Sequence, residues 1–270
     1  MKCDCRLLTL LGLLLLVACV LPAQNAPLFD ADAEAQVLSD LNQSRVQAGV
    51  PPLKLDSRLT DAARRHASLL ATRHVLSHQF PNEPPLSSRL RDAGLIFTTA
   101  AENVGMNTEL SDVNAMFLRS PGHRINMLNP AYDAVGIGVV HRGPDYWITE
   151  DFAKLTPSLS AQQAEDEAAA SFESKWKASY STVPKRVVNA ELRAAACQAA
   201  RSGGKARRTG FTYEGRPAQE VVGFSSPDPS DLPSQVDSII QAHISAYAVG
   251  ACPPEASSSG GQFWLVMAFF

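Results

Sequence analysis

Apolar residues at helical spacing predict three main helices in the first half of the chain. The first covers residues 32–48 and ends where a glycine and two prolines follow. The second begins after a capping Asp or Ser near residue 56, and the third covers residues 110–120. Between these two lie a proline-rich loop over residues 79–88 and a short helix closed by Gly94. The second helix has the clearest apolar stripe, which consists of Leu59, Ala62, Ala63, Ala67 and Leu70.

Two strand patterns follow the third helix and predict a β-hairpin. The segments are "AVGIGVVH" and "DYWITEDFAK", and "RGP" joins them. Gly136 and Gly138 lack side chains, so we expect the histidine-bearing loop around residue 123 to pack closely over this strand. The first half of the chain is therefore predicted to be α+β, with helices that cover a small antiparallel sheet.

Beyond residue 155 the pattern changes. Residues 156–183 are predicted to be a linker with an exposed helix, and a second, smaller α+β unit covers residues 184–270. Four segments of this unit resemble segments of the first unit in the same order. The pairs are "LDSRLTDAARRHA" with "VNAELRAAACQAA", "AENVGM" with "QEVVGF", "AYDAVGIG" with "AYAVGAC", and "YWITEDF" with "FWLVMAF". Each match alone is weak, so a degenerate repeat and an unrelated second unit both remain open.

The N-terminal segment is predicted to be a signal peptide over residues 1–26. Its apolar core, Leu7–Val20, is too short to span a membrane comfortably and has the length typical of an export signal. Within it, "LVAC" matches a bacterial lipobox and makes Cys19 a lipidation candidate, whereas ordinary cleavage near Ala23 is the alternative. We expect a secreted or outer-envelope protein, with membrane attachment only if Cys19 carries lipid.

The composition is that of a soluble globular protein. Of the 270 residues, 45% are hydrophobic and 19% are charged, and the formal net charge is −3. No basic field is present to meet the phosphates of a nucleic acid. A nucleic-acid partner is therefore not expected.

The cysteines divide between the leader and the second unit. Cys3, Cys5 and Cys19 fall in the leader, so Cys197 and Cys252 remain in the body of the protein. Two cysteines in an exported chain most simply form a disulfide. A pair of buried free thiols is the alternative.

Three histidines and one glutamate supply the candidate chemistry of the first unit. His74 and His78 are four residues apart, which would place them on one face of a continuing helix. The pair does not match the HExxH pattern of zinc peptidases, and we interpret His74 as a surface residue. His78, Glu102 and His123 fall in distinct loops or helix ends, and their surroundings carry more information.

Four segments of the first unit resemble the CAP superfamily, the cysteine-rich secretory, antigen 5 and pathogenesis-related 1 domains, in its bacterial branch. They are "LSHQ", "AENVGM", "SPGHRINMLNPAYDAVGIGVV" and "YWITEDF". The resemblance covers about residues 32–155, and the domain is predicted to span residues 30–155. It implies an α-β-α sandwich with a central antiparallel sheet and a surface cleft in which two histidines and two acidic residues converge.

Carried onto this chain, the resemblance makes His78 and His123 the cleft histidines and Glu102 the first acid. The second acid is expected near the end of the third helix, where the chain has Ser120 instead. Glu150 stands where the family often has glutamine before the aromatic residue of the last strand. The missing second carboxylate puts the complete set of four in doubt.

The chemistry of such a cleft leaves two roles open. Two neutral imidazoles, His78 and His123, can bind zinc or another divalent cation, with Glu102 as a further ligand or as a base acting on bound water. A glutamate that accepts hydrogen bonds can equally brace the turn that "AENVG" is expected to form. For His123 the structural alternative is a cation at a helix end, assisted by Arg124.

The leading interpretation is a non-enzymatic extracellular module. Its cleft would bind a metal, a small apolar ligand, or a protein or cell-envelope partner, because the resemblance implies no single shared reaction. The alternative is a metal-dependent hydrolase, a peptidase or nuclease, with His78 and His123 as ligands and Glu102 as the catalytic base. The missing second acid and the lack of a GxSxG motif in the sequence favour the binding module.

Overall fold

A computed structural model of the protein describes residues 29–204, 210–240, 243–255 and 261–270. The predicted signal peptide, with Cys19 and the cleavage position, lies outside the described residues. Within those ranges, no helix is both long enough and apolar enough to cross a membrane. Two units follow one another along the chain, and each is built around its own four-stranded sheet.

The first unit is a sheet between two layers of helices. Its elements in chain order are α1 (Ala31–Gln47), β1 (Lys54–Leu55), α2 (Ser57–Arg73), α3 (Leu86–Asp92), β2 (Phe97–Asn107), α4 (Val113–Arg119), α5 (Pro121–Met127), β3 (Ala134–Arg142) and β4 (Asp145–Leu155). The strand order is β1-β3-β4-β2, and within the described part of this sheet only the two-residue β1 runs parallel to its neighbour. The central sheet is therefore antiparallel apart from this short edge.

Two local predictions about the cleft segments are wrong. The "AENVG" segment lies within strand β2 and not in a turn, because its residues pair along β4. His123 lies in helix α5 and not in a loop, because the predicted third helix stops at Arg119 and a new one starts at Pro121. Proline suits a first helical position, where its missing N–H has no intrahelical partner to lose.

Side chains of β4 alternate between the two helical layers. Ile148 and Phe152 pack against α1, α4 and α5, whereas Trp147 and Ala153 pack against α2 and α3. The alternation puts Asp151 on the α2 side of the sheet and Glu150 on the opposite side. This arrangement is the expected α-β-α sandwich, and it separates two neighbouring carboxylates.

Gly136 and Gly138 allow a close approach, but by a different element from the one expected. A Cβ atom at Gly136 would overlap the backbone of Leu59 and Thr60, and one at Gly138 would overlap the backbone of Arg64. Helix α2 therefore lies directly on β3, and the segment that carries His123 does not.

The second unit has the same strand topology as the first. Its elements are α6 (Ala161–Lys177), β5 (Lys185–Arg186), α7 (Ala190–Arg201), β6 (Thr212–Tyr213), β7 (Arg216–Pro217), β8 (Glu220–Ser226), α8 (Ser234–Ile239), β9 (Ala246–Cys252) and β10 (Phe263–Phe269). The sheet order is β5-β9-β10-β8, with β5 parallel to β9 and the other pairs antiparallel. Strands β5, β8, β9 and β10 thus take the places of β1, β2, β3 and β4.

An ion pair between an arginine and a buried glutamate recurs at equivalent places in the two units. Arg64 of α2 donates to both carboxylate oxygens of Glu34 in α1, at 2.8 and 2.5 Å, and Arg193 of α7 does the same to Glu165 in α6, at 2.8 and 2.6 Å. One oxygen of each glutamate also accepts a backbone N–H from the sheet strand that the helix covers. The second unit therefore repeats the first in topology and in this interaction.

The sheet registers correct two of the sequence matches. Trp147 of β4 and Trp264 of β10 take equivalent places, and they pair with Val140 and Cys252. The residue two positions before each partner is a glycine, so Gly250 is equivalent to Gly138 and not to Gly136. A Cβ atom at Gly250 would likewise overlap the helix above it, α7. The "AYAVGAC" match was therefore two residues out of register.

The second correction concerns "QEVVGF". Glu102 pairs with Asp151, and the corresponding residues of the second sheet are Val221 and Ala268. The equivalent of Glu102 is thus Val221, one residue beyond the glutamate that the sequence match had chosen.

Helix α6, which was predicted to be an exposed linker helix, is part of the second core. Ala168, Phe172 and Trp176 are buried against strands of the second sheet. Glu165 makes the ion pair described above. Because α6 occupies the place of α1, its burial follows from the repeated topology.

The predicted disulfide is confirmed. Cys197 of α7 and Cys252 at the end of β9 are bonded across 55 residues of sequence. The bond attaches the covering helix to the sheet of the second unit.

Candidate functional site

The first element of the site is a histidine bonded to a buried glutamate. Glu102 lies in β2 with its side chain 3% exposed, and His78 lies in the loop after α2 with its side chain 61% exposed. The His78 Nδ1 and Glu102 Oε1 atoms are 3.0 Å apart. This hydrogen bond raises the pKa of His78 above its ordinary value, although partial burial opposes the effect. His78 thus presents the other edge of its ring to solvent.

Arg89 of α3 engages the second oxygen of Glu102. Its guanidinium also donates to Glu83 Oε1 at 3.1 Å and to the backbone carbonyl of His78 at 3.2 Å. The Arg89 side chain is 8% exposed and that of Glu102 is 3% exposed, so the pair is buried. Both carboxylate oxygens of Glu102 are therefore occupied by protein donors.

His66 holds the loop that carries His78. Its side chain is fully buried, and its ring nitrogens lie 2.7 Å from Glu83 Oε1 and 2.9 Å from the backbone carbonyl of Ser77. Glu83 also accepts the backbone N–H of Phe80. This bonding fixes both ends of the loop around His78, so the exposed imidazole has a buried support.

Asp151 lies beneath Glu102, on the same side of the sheet. Neither of its carboxyl oxygens has a hydrogen-bond donor among the described residues. Burial, together with the negative charge of Glu102, holds the pKa of Asp151 well above its usual range. The folded protein therefore favours the protonated form of Asp151.

His123 completes the histidine pair from the opposite side of the cleft. Its ring meets Phe117 edge-on, with the ring centroids 5.0 Å apart, and its backbone carbonyl accepts the side-chain amide of Asn103. Burial lowers the pKa of His123, and the positive charge of His78 lowers it further. The two histidines therefore lie within electrostatic range, and the cleft favours the neutral form of His123.

Glu150 and Ser120 do not join this pair through any side-chain hydrogen bond that the described residues show. Glu150 lies on the opposite side of the sheet from Glu102, where Asn103 Nδ2 donates to it at 3.0 Å. Its burial raises its pKa to about 7. Ser120 begins α5 by accepting the backbone N–H of Arg124 through its carbonyl, without a side-chain cap.

His74 is separated from the cleft by the end of α2. It follows Arg73, the last helical residue, in a left-handed conformation with φ 53°. Its ring meets Trp147 edge-on, with the centroids 5.8 Å apart. His74 and His78 consequently do not share a helical face.

The sequence interpretation missed three residues that support the site, namely His66, Arg89 and Asp151. A signal for His66 was present, because it lies three residues after Ala63 on the apolar stripe of α2. A histidine on a buried stripe must be hydrogen-bonded, which points to a nearby polar group. Arg89 and Asp151 carried no such signal, because neither helix spacing nor strand alternation distinguishes them from solvent-facing residues.

The donor set does not fit a zinc site with three protein ligands. Among the described residues, no group of three or more His, Cys, Asp or Glu side chains is placed to hold a metal ion. Both oxygens of Glu102 are engaged, one of them by a guanidinium. Among these cleft residues, the imidazoles of His78 and His123 are then the side chains that could bind a metal ion. Catalytic zinc sites generally use three protein ligands.

The fold and the His/Glu cluster together define the class of this domain. Residues 38–152 match the family model of the cysteine-rich secretory protein family, CAP. Residues 38–152 therefore form a CAP domain, as the sequence resemblance predicted.

The relatives are bacterial. The chain is 31% identical over 121 residues to the uncharacterized protein YkwD of Bacillus subtilis, covering 44% of this chain and 47% of that protein. It is 28% identical over 123 residues to the uncharacterized membrane protein YlbC of Bacillus subtilis, covering 45% and 34%. The chain therefore spans less than half the length of these curated relatives.

A solved structure is similar over the same part of the chain. It is an extracellular protein containing an SCP domain from Bacillus anthracis, with 27% identity and a TM-score of 0.41, covering 46% of this chain and 40% of that one.

The second unit has apolar residues where the first has its buried polar cluster. The sheet registers place Val221, Val222, Met267 and Ala268 at the positions of Glu102, Asn103, Glu150 and Asp151. The polar cluster therefore has no counterpart in the described part of the second sheet.

Proposed function

We propose that the chain is an exported CAP-domain protein whose His/Glu cleft is a binding surface and not a catalytic centre. The observation that carries this proposal is the engagement of both Glu102 oxygens, by His78 and by the buried Arg89. A general base must have a free oxygen within reach of the proton that it removes. Glu102 instead acts as the buried anion that holds His78 in place.

Exposed apolar side chains close in sequence to the cleft residues favour a protein or envelope partner. Several large apolar side chains near the cleft residues in sequence are exposed: Val75 by 51%, Leu76 by 50%, Ile125 by 67% and Met106 by 38%. Exposed apolar side chains grouped around polar residues are typical of interaction sites. The export signal predicted over residues 1–26 and the lipidation candidate Cys19 would bring this surface to the cell envelope or release the protein into the medium.

A photo-crosslinking experiment tests this surface. A photoreactive residue at position 125 should give adducts of discrete mass in the native envelope, because Ile125 is an exposed residue of α5, the helix that carries His123. The same residue at position 188 is the matched control, since Val188 is fully exposed but lies in the second unit. Equal labelling from both positions, or none from 125, would contradict a partner at the cleft.

A metal-dependent hydrolase with His78 and His123 as ligands and Glu102 as base is the second candidate. One observation favours metal binding, since the lowered pKa of His123 keeps its imidazole neutral, the form that binds metal ions. The occupied oxygens of Glu102 oppose a catalytic role for any such metal.

Zinc calorimetry and turnover assays separate these candidates. We expect at most weak binding, because two imidazoles give fewer ligands than stable zinc sites use. Near-stoichiometric binding that is lost in both His78→Ala and His123→Ala would establish a metal site. Zinc-dependent cleavage of casein or DNA, abolished by His123→Ala, would establish the hydrolase instead.

A further inference from the structure

Strand β8 is an open edge of the second sheet. In the described residues it pairs with β10 on one side only, and a groove of about 330 Å³ lies along it. The groove is lined by residues 220–224 of the strand and by Pro233 and Gln235 at the start of α8. The backbone groups on this edge thus have room for another strand.

The equivalent edge of the first unit is covered. Asn126 of α5 donates to the backbone carbonyl of Glu102 in β2 at 3.4 Å, and Asn103 of β2 donates to the carbonyl of His123 at 3.3 Å. In the second unit, the only helix described between β8 and β9 is α8, which has six residues. Among the described residues, no second helix covers the edge of β8.

The strand lacks the features that usually protect an edge. Its sequence, "EVVGFSS", has no lysine and no proline, and its register with β10 continues without a bulge over all seven residues. Natural edge strands commonly use lysine, proline, bulges or a covering element to prevent pairing with another chain. An unprotected regular edge is a template for such pairing.

We propose that β8 is the pairing edge of a homodimer, in which the β8 strands of two copies run antiparallel about Gly223. This register places Val222 opposite Phe224 of the other copy, and Glu220 opposite Ser226. Cross-strand pairs of an aromatic and a β-branched residue stabilise a sheet, and the two-fold axis forms this pair twice. No like charges face each other, so the strand is complementary to itself.

The side chains at this edge are partly accessible. Phe224 and Ser225 are half-buried, and Val222 is 9% exposed. Pairing would cover the remaining surface of Phe224 and join two four-stranded sheets into one of eight strands. The partner strand is β8 of a second copy, because β8 itself supplies both members of each cross-strand pair, Val222 and Phe224.

Sedimentation equilibrium on the chain after its predicted leader tests the proposal. We expect twice the monomer mass at high protein concentration and dissociation on dilution. Ser225→Lys should shift the equilibrium to monomer, because a lysine on an edge strand opposes pairing. Thr99→Lys is the matched control, since Thr99 is an exposed residue of the covered edge strand β2, and it should remain dimeric.

Amide hydrogen exchange on the unmodified protein gives an independent measurement that does not depend on a variant folding. Edge amides of β8 should be protected at high concentration and lose that protection on dilution. A monomer at all concentrations, or a dimer that Ser225→Lys leaves intact with β8 amides unprotected, would overturn the proposal. If the protein stays monomeric and its β8 amides are protected only when a foreign peptide is added, the homodimer proposal is wrong and β8 pairs with a different partner.

Discussion

At the scale of single residues, three buried carboxyl groups in β2 and β4 have different partners. Glu102 is balanced by Arg89 and bonded to His78. Asp151 has no donor among the described residues, and its pKa is raised by burial and by Glu102. Glu150 has one donor, Asn103, which only partly offsets burial. Burial is the main cause of the raised pKa of both Asp151 and Glu150, and the neighbouring groups add to it at Asp151 and oppose it at Glu150.

Glu102→Gln should destabilise the protein far more than Asp151→Asn. The first change removes one of the two carboxylates that face the buried guanidinium of Arg89 and leaves only Glu83, and breaking a buried pair costs up to about 3–5 kcal/mol. The second replaces a carboxyl group whose protonated form the fold favours with a neutral amide of similar shape, and it should cost less than about 1 kcal/mol. Urea unfolding of both variants at pH 7 measures the difference. Equal losses would show that Asp151 is ionised in the folded protein.

Glu150→Gln should remove a pH dependence from the stability of the first unit. The folded pKa of Glu150 is about 7 against an ordinary value of 4.5. Its stabilising contribution is therefore complete below pH 4.5 and lost as the pH rises through about 7. A shift of this size corresponds to about 3 kcal/mol.

Melting temperatures at pH 5 and pH 8 test this expectation. The variant should gain stability relative to the unmodified protein at pH 8 and gain little at pH 5. Glu109→Gln, at an exposed position, is the control and should follow the unmodified protein at both values. An unchanged pH slope in Glu150→Gln would place the titrating group elsewhere.

At the scale of elements, each unit depends on a helix that lies directly on a strand. Helix α2 packs against Gly138, and α7 packs against Gly250. In both cases an added Cβ atom would overlap backbone atoms of the helix. Each helix is also attached by its ion pair to the first helix of its unit. The close packing of α2 therefore requires a residue without a side chain at position 138, and that of α7 requires one at position 250.

Gly138→Ala and Gly250→Ala should each lower the free energy of unfolding by about 3 kcal/mol, the upper end of the range for overpacked cores. The loss is large because backbone atoms cannot move aside as a flexible side chain can. Gly122→Ala is the matched control, since nothing lies within 4 Å of its added Cβ, and it should change stability little. Denaturant midpoints of the three variants provide the measurement. A tolerated Gly250→Ala would mean that α7 can shift without loss.

Removal of the disulfide should destabilise the second unit. The bond closes a 55-residue separation, for which the chain-entropy relation gives about 4 kcal/mol. Denaturant unfolding of Cys197→Ala/Cys252→Ala should match that of the unmodified protein under reducing conditions. If reduction leaves the midpoint unchanged, the bond contributes little beyond the packing of α7 on β9.

At the scale of the whole molecule, two units of one topology have different interiors. The first retains a buried polar cluster at Glu102 and Glu150, and the second has Val221 and Met267 at those positions. A buried polar cluster specifies a site but makes stability depend on pH, whereas an apolar interior does not titrate. The two units should therefore respond differently to pH.

The tryptophans provide separate reporters for this difference. Trp147 lies in the first unit, and Trp176 and Trp264 lie in the second. Raising the pH from 5 to 8 should lower the unfolding midpoint seen by Trp147 more than that seen by the other two. Single-reporter variants, with phenylalanine at the remaining positions, measure each unit. Coincident shifts would show that the units unfold as one.

Sequence patterns predicted the helices, the hairpin, the disulfide and the CAP fold, because these depend on local spacing and on residue types. They also identified His78 and Glu102 as candidate cleft residues, and the fold places these two side chains in contact. They placed "AENVG" in a turn, because an edge strand with glutamate and asparagine lacks the usual alternation. They also misaligned the repeat, since alanine- and glycine-rich segments match in more than one register.

The sequence alone determined which segments form elements and which family the first unit resembles, because periodicity and short motifs are local properties. Only the tertiary structure decided that Arg89 engages Glu102, that Glu150 lies on the other side of the sheet, and that Val221 replaces Glu102 in the second unit. The charge of a buried group depends on neighbours distant in sequence, and a shift of one residue in strand register reverses the side of the sheet on which a side chain lies.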